Sequence, residues 1–184
     1  MDVNRLTKVS KYLSKHLRHQ PERLGLTLQA GGWVEVKDLL AACRKNNFPI
    51  SQEELESVVA ESDKQRFAFD ETGEKIRANQ GHSTEVDLQL SPLEPPELLY
   101  HGTGERSVEA IMQAGILKMS RHHVHLSPDT ETARRVGMRH GKPTILIVKA
   151  KEMHAAGHVF YCSANGVWLS ENVPVQYIVQ QPKP

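Results

Sequence analysis

Arg66-Phe67-Ala68-Phe69, then Asp70-Glu71-Thr72-Gly73, then Lys75-Ile76-Arg77-Ala78 is the stretch on which the reading of the first half of this chain turns. The first four residues alternate as a strand does, the middle four carry turn chemistry, and the last four return, so a hairpin is expected. Upstream, Leu6, Val9, Leu13 and Leu17 recur at helical spacing, and Pro21 stands just past the expected helix end. A second helix is expected near 36–44, with Val36, Leu39, Leu40 and Cys43 turned inward. A third starts at Ser51, where Ser51 and Glu54 make a capping box ahead of Leu55, Val58 and Val59. Three helices and a hairpin wing describe a winged-helix-like lobe over residues 1–85. That shape is frequent in nucleic-acid-binding proteins, but shape alone does not establish function.

Further along, the apolar pattern weakens from Gly81 to Pro96, and Ser91-Pro92-Leu93-Glu94-Pro95-Pro96 reads as loop, so a linker is expected over 86–97. Residues 98–184 are richer in strands. Leu98-Leu99-Tyr100-His101 leads into a turn at Gly102, and a short helix over Val108, Ile111 and Met112 ends at Gly115. His123-Val124-His125-Leu126 is a strand, Ser127-Pro128-Asp129 opens a helix, and Thr144-Ile145-Leu146-Ile147-Val148 is apolar enough to be a central strand. Strands at 159–161, 167–169 and 176–179 complete a mixed, β-rich lobe. The fold class expected for the whole chain is α+β.

Composition narrows the setting. The 184 residues are 39% hydrophobic and 24% charged, as in soluble globular proteins, and no run approaches the roughly 20 apolar residues of a membrane span. The first residues carry no apolar signal segment, and two distant cysteines, Cys43 and Cys162, fit a reducing cytoplasm. With a net charge of +1, nucleic acid would be held by a few placed cations, not by an overall positive field. Lys8, Lys11, Lys15 and Arg18 form such a stripe on the first helix, although a stripe of this kind is commonly a solvated face.

Several short motifs carry chemistry. Arg18-His19 closes the first helix, where both side chains also complement the helix dipole. Asp63-Lys64-Gln65-Arg66-Phe67 begins the hairpin. The second lobe holds His101-Gly102-Thr103 and Ser120-Arg121-His122-His123-Val124-His125-Leu126-Ser127. His123 and His125 share a strand face, as paired imidazole ligands can, but no acidic residue stands within the cluster and Asp129 is the nearest. No metal is expected.

Taken together these motifs resemble the RNA 2'-phosphotransferases of the KptA family over nearly the full length of the chain. The resemblance rests on Leu13-Ser14-Lys15-His16-Leu17-Arg18-His19, on 63–67, and on Gln80-Gly81-His82-Ser83. His101-Gly102-Thr103, the segment 120–127 and Asn165-Gly166-Val167-Trp168-Leu169-Ser170 complete it, all in the family's order.

The resemblance implies an N-terminal winged-helix-like RNA lobe followed by a C-terminal lobe of the ADP-ribosyltransferase type. It implies that NAD is consumed as co-substrate and that an internal RNA 2'-phosphate, of the kind found at tRNA splice junctions, is removed. Arg18, His19, Arg66 and Arg121 would act on the phosphate, and Lys15, Lys64 and His82 would bind RNA. His101, Gly102, Thr103, His125, Leu126 and Ser127 would hold NAD, with Thr103 and Ser127 lining the pocket and the Gly102 main chain close to the co-substrate. Val167 falls near the position where relatives that modify proteins commonly carry Glu. A 2'-phosphate monoester is largely a dianion near pH 7, so it needs no general base, and guanidinium forks suit its oxygens. The arginines of the two lobes are expected to converge on one phosphate.

Two other readings are weighed against this one. An ADP-ribosyltransferase that caps nucleic-acid phosphate ends would use the same pocket and stop after the first transfer. A winged-helix regulator without catalysis would leave the whole second lobe unexplained. A monomer that does not associate with membranes is expected.

Overall fold

Helix α1 (Val3–Arg18) begins where the Asp2 carboxylate accepts a hydrogen bond from the Arg5 backbone N–H, and it buries Val9, Leu13 and Leu17 completely. Such a cap contributes about 1 kcal/mol, small beside the burial of three aliphatic side chains at about 1.5–3 kcal/mol each. The His19 and Gln20 N–H groups both donate to the Lys15 carbonyl at 3.1 Å and end the helix. Pro21 then starts a 3-10 turn over Pro21–Leu24, a first-turn position that its missing N–H tolerates.

Strand β1 (Trp33–Glu35) runs directly into α2 (Val36–Lys45). The Ser51–Glu54 capping box is formed in both directions, at 3.2 and 3.0 Å, and opens α3 (Gln52–Glu61). Strands β2 (Phe67–Phe69) and β3 (Lys75–Ala78) make the expected hairpin. β1 extends the hairpin to an antiparallel sheet in the order β1-β3-β2. β1 is only three residues long, too short for alternation to be visible in the sequence. Leu39, Leu55, Val58, Phe67 and Ile76 close the core between these helices and the sheet.

The computed structural model describes residues 2–62 and 64–181. The chain divides into two compact units, the first ending at Gln89 and the second beginning at Leu90. The second unit runs β4 (Leu99–Gly104), α4 (Val108–Ala114), β5 (Ile116–Leu117), β6 (Val124–Leu126), α5 (Thr130–Gly137), β7 (Pro143–Val148), α6 (Ala150–Ala155), β8 (Phe160–Cys162), β9 (Trp168–Ser170), β10 (Asn172–Val173) and β11 (Ile178–Gln180). Its antiparallel sheets have the orders β11-β7-β4 and β6-β9-β8, with a separate β10-β5 pair. β7 is the middle strand of its sheet, which explains its continuous apolar run. Leu99, Leu126, Leu146, Met153 and Phe160 form the core.

Four details depart from the sequence reading. A turn was expected at Gly102, but β4 runs on through it to Gly104. Helix α5 is capped by Asp129, whose Oδ1 accepts from the Thr132 N–H at 2.7 Å. Ser127 is instead tied by its main chain to Tyr100, with N–H to carbonyl bonds of 2.9 and 2.7 Å in the two directions. A strand was expected over 176–179, but Val175–Tyr177 is a 3-10 turn and β11 starts at Ile178. Helix α6 and the β5–β10 pair, all short, were not foreseen. The whole is a mixed α+β structure of small antiparallel sheets. Among the described residues no helix is long and apolar enough to cross a membrane.

Candidate active site

In the first unit α1 gathers three motifs that are far apart in sequence. The Ser83 and Thr84 N–H groups donate to the Arg18 carbonyl at 2.9 and 3.2 Å. A helix C-terminus is electrically negative and would repel a phosphate. These two donors cover one of the terminal carbonyls. His19 Nδ1 lies 2.8 Å from Ser83 Oγ, so the same segment also orients the imidazole. Arg18 leaves the Lys8, Lys11 and Lys15 stripe, which is exposed. Its side chain turns inward, with Nε and Nη2 buried and the guanidinium 5.9 Å from the Phe67 ring centre.

Arg66 reaches the same helix from the start of the hairpin. Its Nη1 donates to Ser10 Oγ at 3.3 Å, two turns before Arg18 on one helix face. Asn79 fixes the Arg66 backbone: its N–H donates to the Arg66 carbonyl at 2.9 Å, and its Nδ2 donates to the Gln65 carbonyl at 2.6 Å. Gln65 sits at φ 39°, in the left-handed region, so this clasp holds a turn the chain would not favour alone. Lys15 and Lys64 are exposed, and Asp63 lies outside the described residues. His82, grouped from the sequence with the RNA-binding residues, is 1% exposed, its ring beneath Gly32. It supports the 80–84 segment from inside and offers no surface to a ligand in this conformation.

In the second unit the candidate residues meet where β4 and β6 are joined by the Tyr100–Ser127 bridge. His101 Nδ1 lies 3.1 Å from the His125 carbonyl. A carbonyl only accepts, so Nδ1 carries the hydrogen. Burial, helped by the nearby His140 and Arg121 charges, pushes the His101 pKa below its ordinary value, although the His125 hydrogen bond opposes this. The ring is therefore neutral at pH 7 and presents Nε2 as an acceptor. Arg121, exposed, brings Nη1 to 3.5 Å from His125 Nδ1, at the outer limit of a hydrogen bond.

Alternation along β4 puts Thr103 on the His101 face and Gly102 on the other. A Cβ at Gly102 would run into the Ala133 carbonyl of α5. The glycine is thus required by close packing of helix on strand, and ligand approach is not needed to explain it. Leu126 is 1% exposed and its side chain belongs to the core, which leaves only its main chain for a co-substrate. His123 stands edge-on to Tyr161, with ring centres 5.3 Å apart. Among the described residues no three His, Cys, Asp or Glu side chains are placed to hold a metal ion. Asn79 and Tyr161 were not singled out in the sequence, and neither has a spacing that would mark it.

A sequence profile described as RNA 2'-phosphotransferase, Tpt1 / KptA family, matches residues 4–172. A probable RNA 2'-phosphotransferase of Trichormus variabilis is 64% identical over 178 residues, which covers 97% of this chain and 98% of that protein. Proteins of the same description from Nostoc punctiforme and Herpetosiphon aurantiacus are 61% and 58% identical with the same coverage.

Proposed function

Since the chain belongs to the Tpt1 / KptA family of RNA 2'-phosphotransferases, we propose that it removes an internal 2'-phosphate from RNA by transferring it to NAD. The observation that carries this reading is the gathering of Arg18, His19, Arg66 and the 80–84 segment along α1, at whose end Ser83 and Thr84 cover a terminal carbonyl. Guanidinium groups remain charged even when partly buried, and they match phosphate oxygens in pairs. Arg121 adds a further cation beside His125.

In the first step an oxygen of the RNA 2'-phosphate attacks the ribose carbon that bears nicotinamide, and nicotinamide departs. The phosphate is already anionic, so no side chain need deprotonate it. In the second step the adjacent ribose hydroxyl attacks phosphorus and the RNA 2'-oxygen leaves. The products are RNA with a free 2'-hydroxyl and ADP-ribose 1'',2''-cyclic phosphate. Charge builds on the phosphoryl oxygens here, and Arg18, Arg66 and Arg121 stabilise it. His19, oriented by Ser83, donates a proton to the departing oxygen or a hydrogen bond to the phosphate.

The second unit's donor set fits NAD. Neutral His101 offers Nε2 to a ribose hydroxyl, and Thr103, on the same strand face, and Ser127 offer hydroxyls. His125 and the Gly102 and Leu126 main chains complete the surface. Lys15 and Lys64 hold the RNA backbone. The helices and β1-β3-β2 sheet support a winged-helix-like reading of the first unit, and the His-bearing sheets of the second support an ADP-ribosyltransferase-like one. The chemistry requires no metal, and the free Cys43 and Cys162 suit a reducing cytoplasm, where the chain would work as a monomer.

The test incubates the protein with NAD and RNA carrying one internal 2'-phosphate, with EDTA in excess. Nicotinamide release matched one to one by 2'-hydroxyl RNA is expected. Turnover without NAD, an ADP-ribose mark that stays on the RNA, or activity lost in EDTA and restored by zinc would overturn the reading.

A further inference from the structure

Away from the residues assigned above, the second unit contains a cavity of about 370 Å³ whose lining includes Lys118, His122, His123, His158, Tyr161 and Glu171. Strand register locates it. Tyr161 pairs with Leu169, and Leu169 with His125, so Tyr161 and His125 share one face of the β6-β9-β8 sheet. Val124, Leu126 and Phe160 point from the other face into the core. His123, two residues before His125, is on the cavity face as well. The cavity lies by the start of β6, with Arg121 two residues before His123 in the chain.

Its lining combines two kinds of group. The His123 ring stands at 61° to Tyr161 and lies 6.4 Å from the His122 ring, which gives a cluster of π surfaces. Lys118, His122, His123 and His158 can carry positive charge, whereas Glu171 is the carboxylate of the lining and already has Lys118 Nζ at 2.9 Å. Stacking surfaces next to cations are what single-stranded nucleic acid requires, since every base has a π face and every link an anion. The volume is at the low end for small-molecule sites, which suits one nucleotide better than a whole dinucleotide.

We propose that this cavity is a subsite for an RNA nucleotide neighbouring the one that bears the 2'-phosphate. Its base lies against Tyr161 and His123, and its backbone phosphate meets Lys118 and His122. The proposal rests on the RNA reading above and extends it, because the residues assigned there act on the 2'-phosphate or on the strand beside α1. Burial, then the His122 and Lys118 charges, pull the His123 pKa down, and Glu171 opposes them.

The experiment measures fluorescence anisotropy of the full chain, without NAD, on a 2'-phosphorylated dinucleotide and on the same molecule extended by one nucleotide at either end. Extension on one side is expected to tighten binding about tenfold, within the range of base–aromatic stacking. Tyr161→Ala loses that gain and Tyr161→Phe keeps it. Lys118→Gln lowers the salt slope for the extended RNA by about 0.7, as loss of one single-strand phosphate contact does. Thermal melting checks each fold, and if Tyr161→Ala unfolds, Lys118→Gln and His123→Asn carry the test. Extended RNA held equally well by wild type and variants overturns the subsite and leaves the proposed function intact. Variants that weaken NAD binding instead, measured by calorimetry, give the cavity to the co-substrate and also overturn it. A wild-type protein that binds no 2'-phosphorylated RNA overturns both readings.

Discussion

The candidate residues of the first unit lie along one helix, while those of the second stand at the seam of two small sheets. The chemistry of the side chains follows this difference. Around α1 the groups are mainly arginines, which keep their charge when half-buried, and the fold's task is to aim them and to cover the Arg18 carbonyl. At the seam the groups are imidazoles, and burial sets their state: His101 is held neutral with its hydrogen on Nδ1. One unit presents fixed charge, and the other presents a neutral ring whose acceptor is chosen by a backbone carbonyl. Phosphate binding asks for the first property, and recognition of ribose hydroxyls asks for the second.

The strongest way to break this comparison is to remove one arginine from each unit. In the proposed first step the phosphate already carries its charge, so the arginines would bind ground and transition state about equally. In the proposed second step charge develops at phosphorus, and losing one contact would cost about 10²–10³ in rate, judging from comparable oxyanion donors. Arg66→Ala and Arg121→Ala should both let ADP-ribosylated RNA accumulate, seen as a slower band when end-labelled RNA and NAD are followed on a denaturing gel. Parallel loss of both steps, with no such band, would show that the arginines are needed merely for binding.

A second contrast concerns two glycines. At Gly102 of the second unit an added methyl meets the Ala133 carbonyl, which is held rigidly in α5. At Gly73 of the first unit it meets nothing within 4 Å, and only the φ of 76° resists substitution. Gly102→Ala should cost about 3 kcal/mol or more, as overpacking against backbone does, and Gly73→Ala about 1–2 kcal/mol. Hydrogen exchange resolved by unit checks this. Loss of protection in the second unit is expected for Gly102→Ala, and equal effects of the two substitutions would contradict the packing argument.

Much of this was legible in the sequence. Helix α1, the Ser51–Glu54 box and the β2–β3 hairpin follow from spacing and capping chemistry that act within a few residues. The family resemblance drew Arg18, Arg66, His101 and His125 out of the chain before any geometry was available. What spacing does not show is how distant segments close on one another. Asn79 clasps Gln65 and Arg66 by bonds across the hairpin, and nothing near Asn79 in the sequence signals them. For Gly102 the sequence offered only ligand approach as a reason for glycine, because the pressing of α5 on β4, which also demands one, is a tertiary fact. His82 looked like a surface contact for a similar reason, since burial of a histidine depends on what folds over it.

The smallest expected effect sharpens the comparison through pH. His16 in the first unit and His101 in the second are built alike: each has Nδ1 next to a backbone carbonyl, Gln20 at 3.2 Å and His125 at 3.1 Å. Burial is the leading cause that lowers both pKa values from 6.5, and burial likewise lowers that of His123. A group whose folded value is lowered takes up its proton more readily when unfolded. Its contribution to stability is therefore present above about 6.5 and is lost as pH falls from there through the folded value. Both units should weaken on acidification, the second more, because it holds two histidines lowered by burial, His101 and His123, against His16 in the first. His16→Gln should flatten the pH dependence of exchange protection in the first unit, and His101→Gln that in the second. The accompanying activity separates the two: His101→Gln removes the acceptor assigned to NAD and should raise the KM for NAD, whereas His16→Gln should leave it unchanged. If His101→Gln preserves the wild-type pH profile in the second unit, the ring is not held neutral by burial, and its assignment as an acceptor for a ribose hydroxyl falls with that.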